Sequence, residues 1–130
     1  MMETLALAGD AHWTWVLFGR MHPLVVHFPI ALLVVASLVE VWGLVRRRTA
    51  AGDTAWICVG LGTIGAIVGT IMGYSFAESQ GAGGKDLELH ERLGLLTTIA
   101  SFITAVLCWR ARRMGGTGGP AMAFRAFLFL

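Results

Sequence analysis

The chain has 130 residues, of which 56% are hydrophobic and only 14% are charged, and its mean hydropathy is +0.71. Soluble domains carry about 25% charged residues. This composition therefore excludes an ordinary soluble domain and indicates an all-α bundle of membrane helices, with residues 1–130 forming one small domain. Both cysteines lie in apolar segments and no C-x-x-C-H sequence is present, which excludes covalent attachment of a c-type haem.

The first predicted membrane helix covers residues 23–45. A helix of that length reaches about 34 Å, which is enough to cross a bilayer. Pro23 suits the first helical turn, whereas Pro29 is expected to bend the helix beside His27. Residues 1–21 precede this helix, and their tryptophans predict a segment that lies at the membrane interface.

The second predicted helix, residues 55–76, carries a stripe of glycines on one face. The stripe consists of Gly62, Gly65, Gly69 and Gly73. Small residues at spacings of three and four allow close approach either by another helix or by a flat ring. The sequence leaves both interpretations open.

The third predicted helix, residues 90–109, carries small and polar residues at alternating spacings of four and three. They are His90, Gly94, Thr97, Ser101, Thr104 and Cys108. This stripe is expected to face the protein interior, which would point His90 inward. Residues 121–130 begin a further apolar run of about 15 Å, which is half a bilayer. We expect either an interfacial helix or, preferably, the beginning of a truncated fourth span.

Basic residues predict the orientation of the bundle. One end carries six arginines, namely Arg46, Arg47, Arg48, Arg110, Arg112 and Arg113. The positive-inside rule places this end in the cytoplasm, and the N-terminus and the loop of residues 77–89 outside. Aromatic residues near both ends of the spans support these boundaries: Trp42, Trp56 and Trp109 inside, and Trp13, Trp15 and Tyr74 outside. Glu40, the one acid within a span, is expected to pair with the neighbouring arginines.

Histidines at the outer ends of the first and third helices suggest a cofactor site. These helices run parallel, so His27 and His90 are expected at one depth, where two imidazoles suit the iron of a b-type haem. His22 lies about 140° from His27 around the helix, and is expected either to replace it as ligand or to bind a propionate. Gly65 and Gly69 would line the slot for the ring. Arg20 and Arg92 would pair with the propionates.

Other interpretations of the histidines stay open. They are consistent with hydrogen-bonded side chains that bind nothing, with a zinc or copper site completed by Glu88 or Glu91, or with a chlorophyll-type pigment on one histidine. No sequence signature of nucleophilic, nucleotide-dependent or H-E-x-x-H zinc catalysis is present.

Two sequence segments carry a resemblance to a known family. Residues 18–33, FGRMHPLVVHFPIALL, contain an H-P-x-x-V-H-F-P-I-A-L motif, and residues 89–94, LHERLG, place a histidine at the third helix. The chain resembles, from residue 18 to residue 113, a family of small bacterial inner-membrane proteins of unknown function with about four spans. Such segments also occur fused to or beside c-type cytochrome domains. The resemblance implies His22, His27 and His90 as candidate ligands.

The resulting functional hypothesis is a haem b electron-transfer subunit of the bacterial inner membrane, with a periplasmic N-terminus. It would be an electron carrier rather than an enzyme on its own. Expected partners are other membrane subunits or a second copy of the chain, and a periplasmic c-type cytochrome, but not nucleic acid. The alternative is a non-catalytic accessory subunit of a respiratory or photosynthetic complex.

Overall fold

The computed structural model describes residues 13–14, 16–17, 20–80 and 84–130. Four helices are present in this part of the chain: α1 (His22–Val45), α2 (Asp53–Gln80), α3 (Lys85–Arg113) and α4 (Gly118–Leu128). The first three are long and apolar enough to cross a membrane, and the fourth is short. The predicted all-α membrane bundle is therefore confirmed. The interfacial N-terminal segment lies mostly outside the described residues.

Most of the segment predicted as a loop between the second and third spans is helical. Residues 77–89 were expected to form an outer loop, but α2 continues to Gln80 and α3 already begins at Lys85. No glycine or proline interrupts residues 77–80, so nothing in the sequence ends α2 earlier. At the start of α3, Asp86 and Glu88 lie in the first turn, where carboxylates stabilise the positive end of the helix dipole.

Helix α2 is the centre of the bundle. It packs against both α1 and α3, whereas α1 and α3 do not pack against each other along the described chain. The short α4 packs mainly against α3 and also touches α1. Because α4 lies at the arginine-rich end, it fills the space between α1 and α3 there. At the other end, that space stays open.

The glycine stripe of α2 is the contact surface for α1. A Cβ atom added to these glycines would lie 3.2 Å from Leu33 at Gly62, 3.2 Å from Pro29 at Gly65, 3.1 Å from Val26 at Gly69 and 2.9 Å from His22 at Gly73. At the first three glycines the facing residue of α1 would have to move by a few tenths of an ångström to admit a Cβ, and at Gly73 the His22 ring would have to shift. The stripe therefore serves internal helix packing, which was one of its two interpretations.

Hydroxyl side chains connect α2 to α3. The Thr63 hydroxyl donates to the Ser101 carbonyl at 3.1 Å, and the hydroxyls of Thr70 and Thr98 lie 2.7 Å apart. Ser101, Thr104 and Cys108 are buried, so the inner half of the predicted polar stripe on α3 does face the protein interior. Interhelical hydrogen bonds of this kind contribute about 0.6 kcal/mol each in membrane proteins.

The arginine-rich end is held together by contacts between its two connecting loops. The Ala50 N–H donates to the Gly116 carbonyl at 3.0 Å. Gly116 has a φ of +68°, and a Cβ there would lie 2.5 Å from the Ala50 carbonyl oxygen, so only glycine fits. Cys58 and Cys108 belong to the small apolar core beside these loops, as expected for packing residues.

Glu40 has a different partner from the one expected. It was predicted to pair with the arginines directly after α1. Instead, the Arg125 Nε donates to its Oε2 at 3.0 Å, and the Ala51 N–H donates to its Oε1 at 2.8 Å. The partner comes from α4, 85 residues away in sequence, because α4 packs beside α1 at this depth.

Adding a large side chain to the glycine stripe is expected to separate α1 from α2. We expect Gly65→Leu to destabilise the bundle by about 1–3 kcal/mol or more, since the new side chain overlaps Pro29. Gly60→Leu is the matched control, because a Cβ at Gly60 has no neighbour within 4 Å. Unfolding of both variants by SDS in mixed micelles measures the difference. Equal stabilities would contradict the assignment of the stripe to internal packing.

Candidate functional site

A cavity of about 490 Å³ lies between α1 and α3, with α2 as its floor. It is at the end of the bundle opposite the arginine-rich end, where α4 does not reach. Most of its lining is apolar, and His22 and His90 face it from the two sides. The centroids of their rings are 6.0 Å apart and the ring planes meet at 84°. This pairing makes the cavity the candidate functional site.

The imidazole of His22 is held in a defined orientation. His22 is the first residue of α1 and is half-buried. Its Nδ1 lies 2.8 Å from the carbonyl oxygen of Gly69, so Nδ1 carries the proton and donates it. The lone pair is then on Nε2, which is the arrangement typical of histidines that ligate metals. Gly73 makes room for this ring, because a Cβ there would lie 2.9 Å from the His22 Cε1.

His90 reaches the cavity from the second turn of α3 and is exposed. The chain runs the same way along α1 and α3, since α2 returns between them. A residue near the start of α3 therefore lies at the depth of the start of α1. This parallel arrangement was predicted, and it brings His90 to His22.

His27 does not take part in this pairing. It is exposed, and its Nδ1 bonds to the Pro23 carbonyl one turn earlier in the same helix. The expected pair of His27 and His90 is thus replaced by His22 and His90. The physical reason is the helical period: five residues rotate the side chain by about 140°. Since His22, Val26 and Pro29 face α2, His27 points away from it.

The remaining predicted site residues are two glycines and two arginines, and only one of the four lines the cavity. Gly69 lines the cavity, whereas Gly65 packs against Pro29. Arg20 is exposed just before α1. Arg92 is exposed and pairs with Glu88 at 2.5 Å, one turn earlier in α3. Neither arginine lines the cavity, so an interaction with an occupant would take place at its polar edge.

Tyr74 and the hydroxyl pair of Thr70 and Thr98 are not among the predicted site residues, yet all three line the cavity. Glu91, considered only as a metal ligand, lines it too. The sequence position of the glycine stripe could have predicted two of these residues, because Thr70 and Tyr74 each directly follow one of its glycines. Nowhere among the described residues are three His, Cys, Asp or Glu side chains placed to hold a metal ion. The structure thus gives no support to the zinc or copper interpretation.

Comparison with known proteins identifies the family. No curated protein and no solved structure matches the chain. A family model described as "Predicted membrane protein (DUF2231)" matches residues 20–130. This range contains all four helices and both histidines of the cavity. The chain therefore belongs to the DUF2231 family of predicted membrane proteins.

Proposed function

We propose that this protein binds a b-type haem in the cavity between α1 and α3 and passes single electrons within the membrane. The observation that carries the proposal is the approach of His22 and His90 across an apolar cavity. Paired imidazoles are common axial ligands of haem in helical bundles. When bound, the haem would supply one-electron iron chemistry, and its potential would depend on the surrounding side chains.

The separation of the two rings suits a shared metal. Two imidazoles on opposite sides of one metal, with metal–nitrogen bonds of about 2 Å, have centroids about 6 Å apart. The observed separation is 6.0 Å. The two rings, whose planes meet at 84°, would hold the iron from the two sides of the cavity. The hydrogen bond from His22 to Gly69 would keep one ring in the ligating tautomer.

The cavity also has the size and lining of a cofactor site. Ligand pockets have volumes of about 300–1,000 Å³ and are mostly apolar, with a few polar groups; this cavity has about 490 Å³. Arg92 is a candidate partner for a propionate, because its sequence neighbours Glu91 and Leu93 both line the cavity. Its exposed ion pair with Glu88 contributes at most about 1 kcal/mol, so Arg92 could leave Glu88 for a propionate at little cost.

The proposed setting is the bacterial inner membrane with the cavity near the periplasmic face. The arginine-rich end is opposite the cavity, and the positive-inside rule assigns such an end to the cytoplasm. The H-P-x-x-V-H-F-P-I-A-L motif contains His22, and its resemblance to segments associated with c-type cytochromes supports a periplasmic cytochrome as redox partner. A neighbouring subunit or a second copy of the chain would cover the open side of the cavity.

An accessory subunit without a cofactor is the second candidate. The observation that favours it is the gap between α1 and α3, which a helix of a neighbouring subunit would fill. The glycine stripe no longer supports it, because those glycines already contact α1. The occupant of the cavity therefore separates the two candidates.

The visible spectrum of the purified protein tests the proposal. We expect an α-band of b-type haem in the reduced-minus-oxidised spectrum, and a pyridine haemochrome yield near one haem per chain. The protein should be expressed with ample haem and kept in mild detergent or nanodiscs. A colourless protein that is folded by circular dichroism would contradict the haem proposal and leave the accessory subunit.

A further inference from the structure

Each of the three spanning helices has a tryptophan at the arginine-rich end, and each tryptophan is covered by an arginine. The guanidinium carbons of Arg46, Arg112 and Arg113 lie 4.5, 5.8 and 4.4 Å from the ring centroids of Trp42, Trp56 and Trp109, respectively. In two of the pairs the residues are four apart in sequence, with Arg46 directly after α1 and Arg113 at the end of α3, and the third pair joins α3 to α2. We call these six residues the Arg–Trp collar.

Within the part of the chain that the structure describes, two guanidinium groups of the collar have no carboxylate partner. The ion pairs of the described residues are Arg92–Glu88, Arg112–Asp53 and Arg125–Glu40. Both acids near this end are therefore already paired, while Arg46 and Arg113 stack on their indoles and form no ion pair with a described residue. Stacking on an aromatic face leaves the N–H groups at the guanidinium edge free to donate. These two arginines are thus oriented but not neutralised.

A cleft of about 610 Å³ opens within the collar. Its walls include Trp56, Trp109 and Arg113, together with the loop at Gly115 and Gly116. Asp53 also lines the cleft, but its carboxylate accepts from Arg112 at 2.7 Å. From these observations we infer that the Arg–Trp collar binds the headgroup phosphates of anionic phospholipids, with the cleft as one of its sites.

The position of the collar argues for a lipid phosphate and against a soluble anion. Trp42 and Trp109 are 55% and 44% exposed at the ends of spanning helices, where indoles lie at the depth of lipid headgroups. Arg46 and Arg113 each come four residues after their tryptophan, toward water. A phosphate bound there would belong to a lipid whose acyl chains run beside the exposed apolar residues of the same helices.

Native mass spectrometry and thermal unfolding in detergent test this inference. The full chain is titrated with phosphatidylglycerol, with phosphatidylcholine and with inorganic phosphate. We expect retained phosphatidylglycerol and a rise in the unfolding midpoint with that lipid alone. Each basic residue near an anionic surface contributes about fivefold in affinity. We therefore expect about 25-fold weaker binding in the double variant Arg46→Gln/Arg113→Gln.

The matched control, Arg20→Gln/Arg92→Gln, removes the same charge from the opposite end and should bind the lipid as the unchanged protein does. Arg46 and Arg113 are exposed, so both double variants should fold, which their midpoints in phosphatidylcholine will show. Equal stabilisation by phosphatidylcholine or by inorganic phosphate would overturn the inference. So would an equal loss of binding in the control variant, because the effect would then be one of net charge alone.

Discussion

Replacing His22 or His90 by alanine is expected to remove the proposed haem, whereas replacing His27 by alanine is expected to leave it bound. The rings of His22 and His90 face one cavity, while His27 is exposed and bonded to its own helix. Loss of one axial ligand should remove most of the Soret absorbance or convert it to a five-coordinate spectrum. The measurement is haem per chain by pyridine haemochrome for the three purified variants.

The three variants control for each other. His90 and His27 are both exposed histidines of spanning helices, and surface substitutions usually change stability by less than about 0.5 kcal/mol. A difference in haem content between His90→Ala and His27→Ala therefore reports ligation and not folding. If His27→Ala lost the haem and His22→Ala kept it, the pairing seen in the structure would be wrong and the pairing expected from the sequence would stand.

The overall architecture was predictable because a bilayer restricts the possible solutions. Every backbone polar group within it must be paired, so long apolar segments become helices. Three spans and a short fourth helix followed from hydropathy and length. The helix ends were less predictable, since hydropathy reports the extent of the hydrocarbon core and helices continue beyond it, as α3 does by starting at Lys85 instead of at residue 90.

The choice between His22 and His27 depended on the rotation of α1. Both residues belong to one motif, and sequence spacing gives only their relative angle of about 140°. The absolute rotation is set by which face of α1 fits the glycines of α2. Pro29 and Val26 occupy that face, and the same rotation of α1 turns His22 toward α2. Packing of the glycine stripe against the face of α1 that carries Val26 and Pro29 therefore selects His22.

The partner of Glu40 was not predictable from local sequence. Three arginines follow α1 directly, and any local argument selects them. Arg125 is 85 residues away, and its approach depends on the turn at residues 114–117 that folds α4 back against α1. The contact between Gly116 and Ala50 fixes that turn. Long-range pairs of this kind require the packing of elements, which periodicity alone does not describe.

The ion pair of Glu40 with Arg125 is expected to be the most sensitive polar contact of the fold. Glu40→Gln should cost about 3 kcal/mol of unfolding free energy, because removal of one partner from a buried pair costs about 3–5 kcal/mol. We expect the lower end, since the Arg125 side chain is 19% exposed while that of Glu40 is 3% exposed. The cost arises from the uncompensated guanidinium between α1 and α4. SDS-driven unfolding in mixed micelles measures it.

Asp53→Asn is the matched control for Glu40→Gln. It makes the same chemical change in the Arg112–Asp53 pair, whose aspartate is 87% exposed, and exposed pairs are worth about 0–1 kcal/mol. The double variant Glu40→Gln/Arg125→Gln should recover part of the loss, because no unpaired charge is left. Equal effects of Glu40→Gln and Asp53→Asn would show that burial does not strengthen the Glu40 pair. Because Arg125 also donates to the Arg48 carbonyl, a large loss of stability in Glu40→Gln would identify the contacts of Arg125 as what holds α4 between α1 and α3.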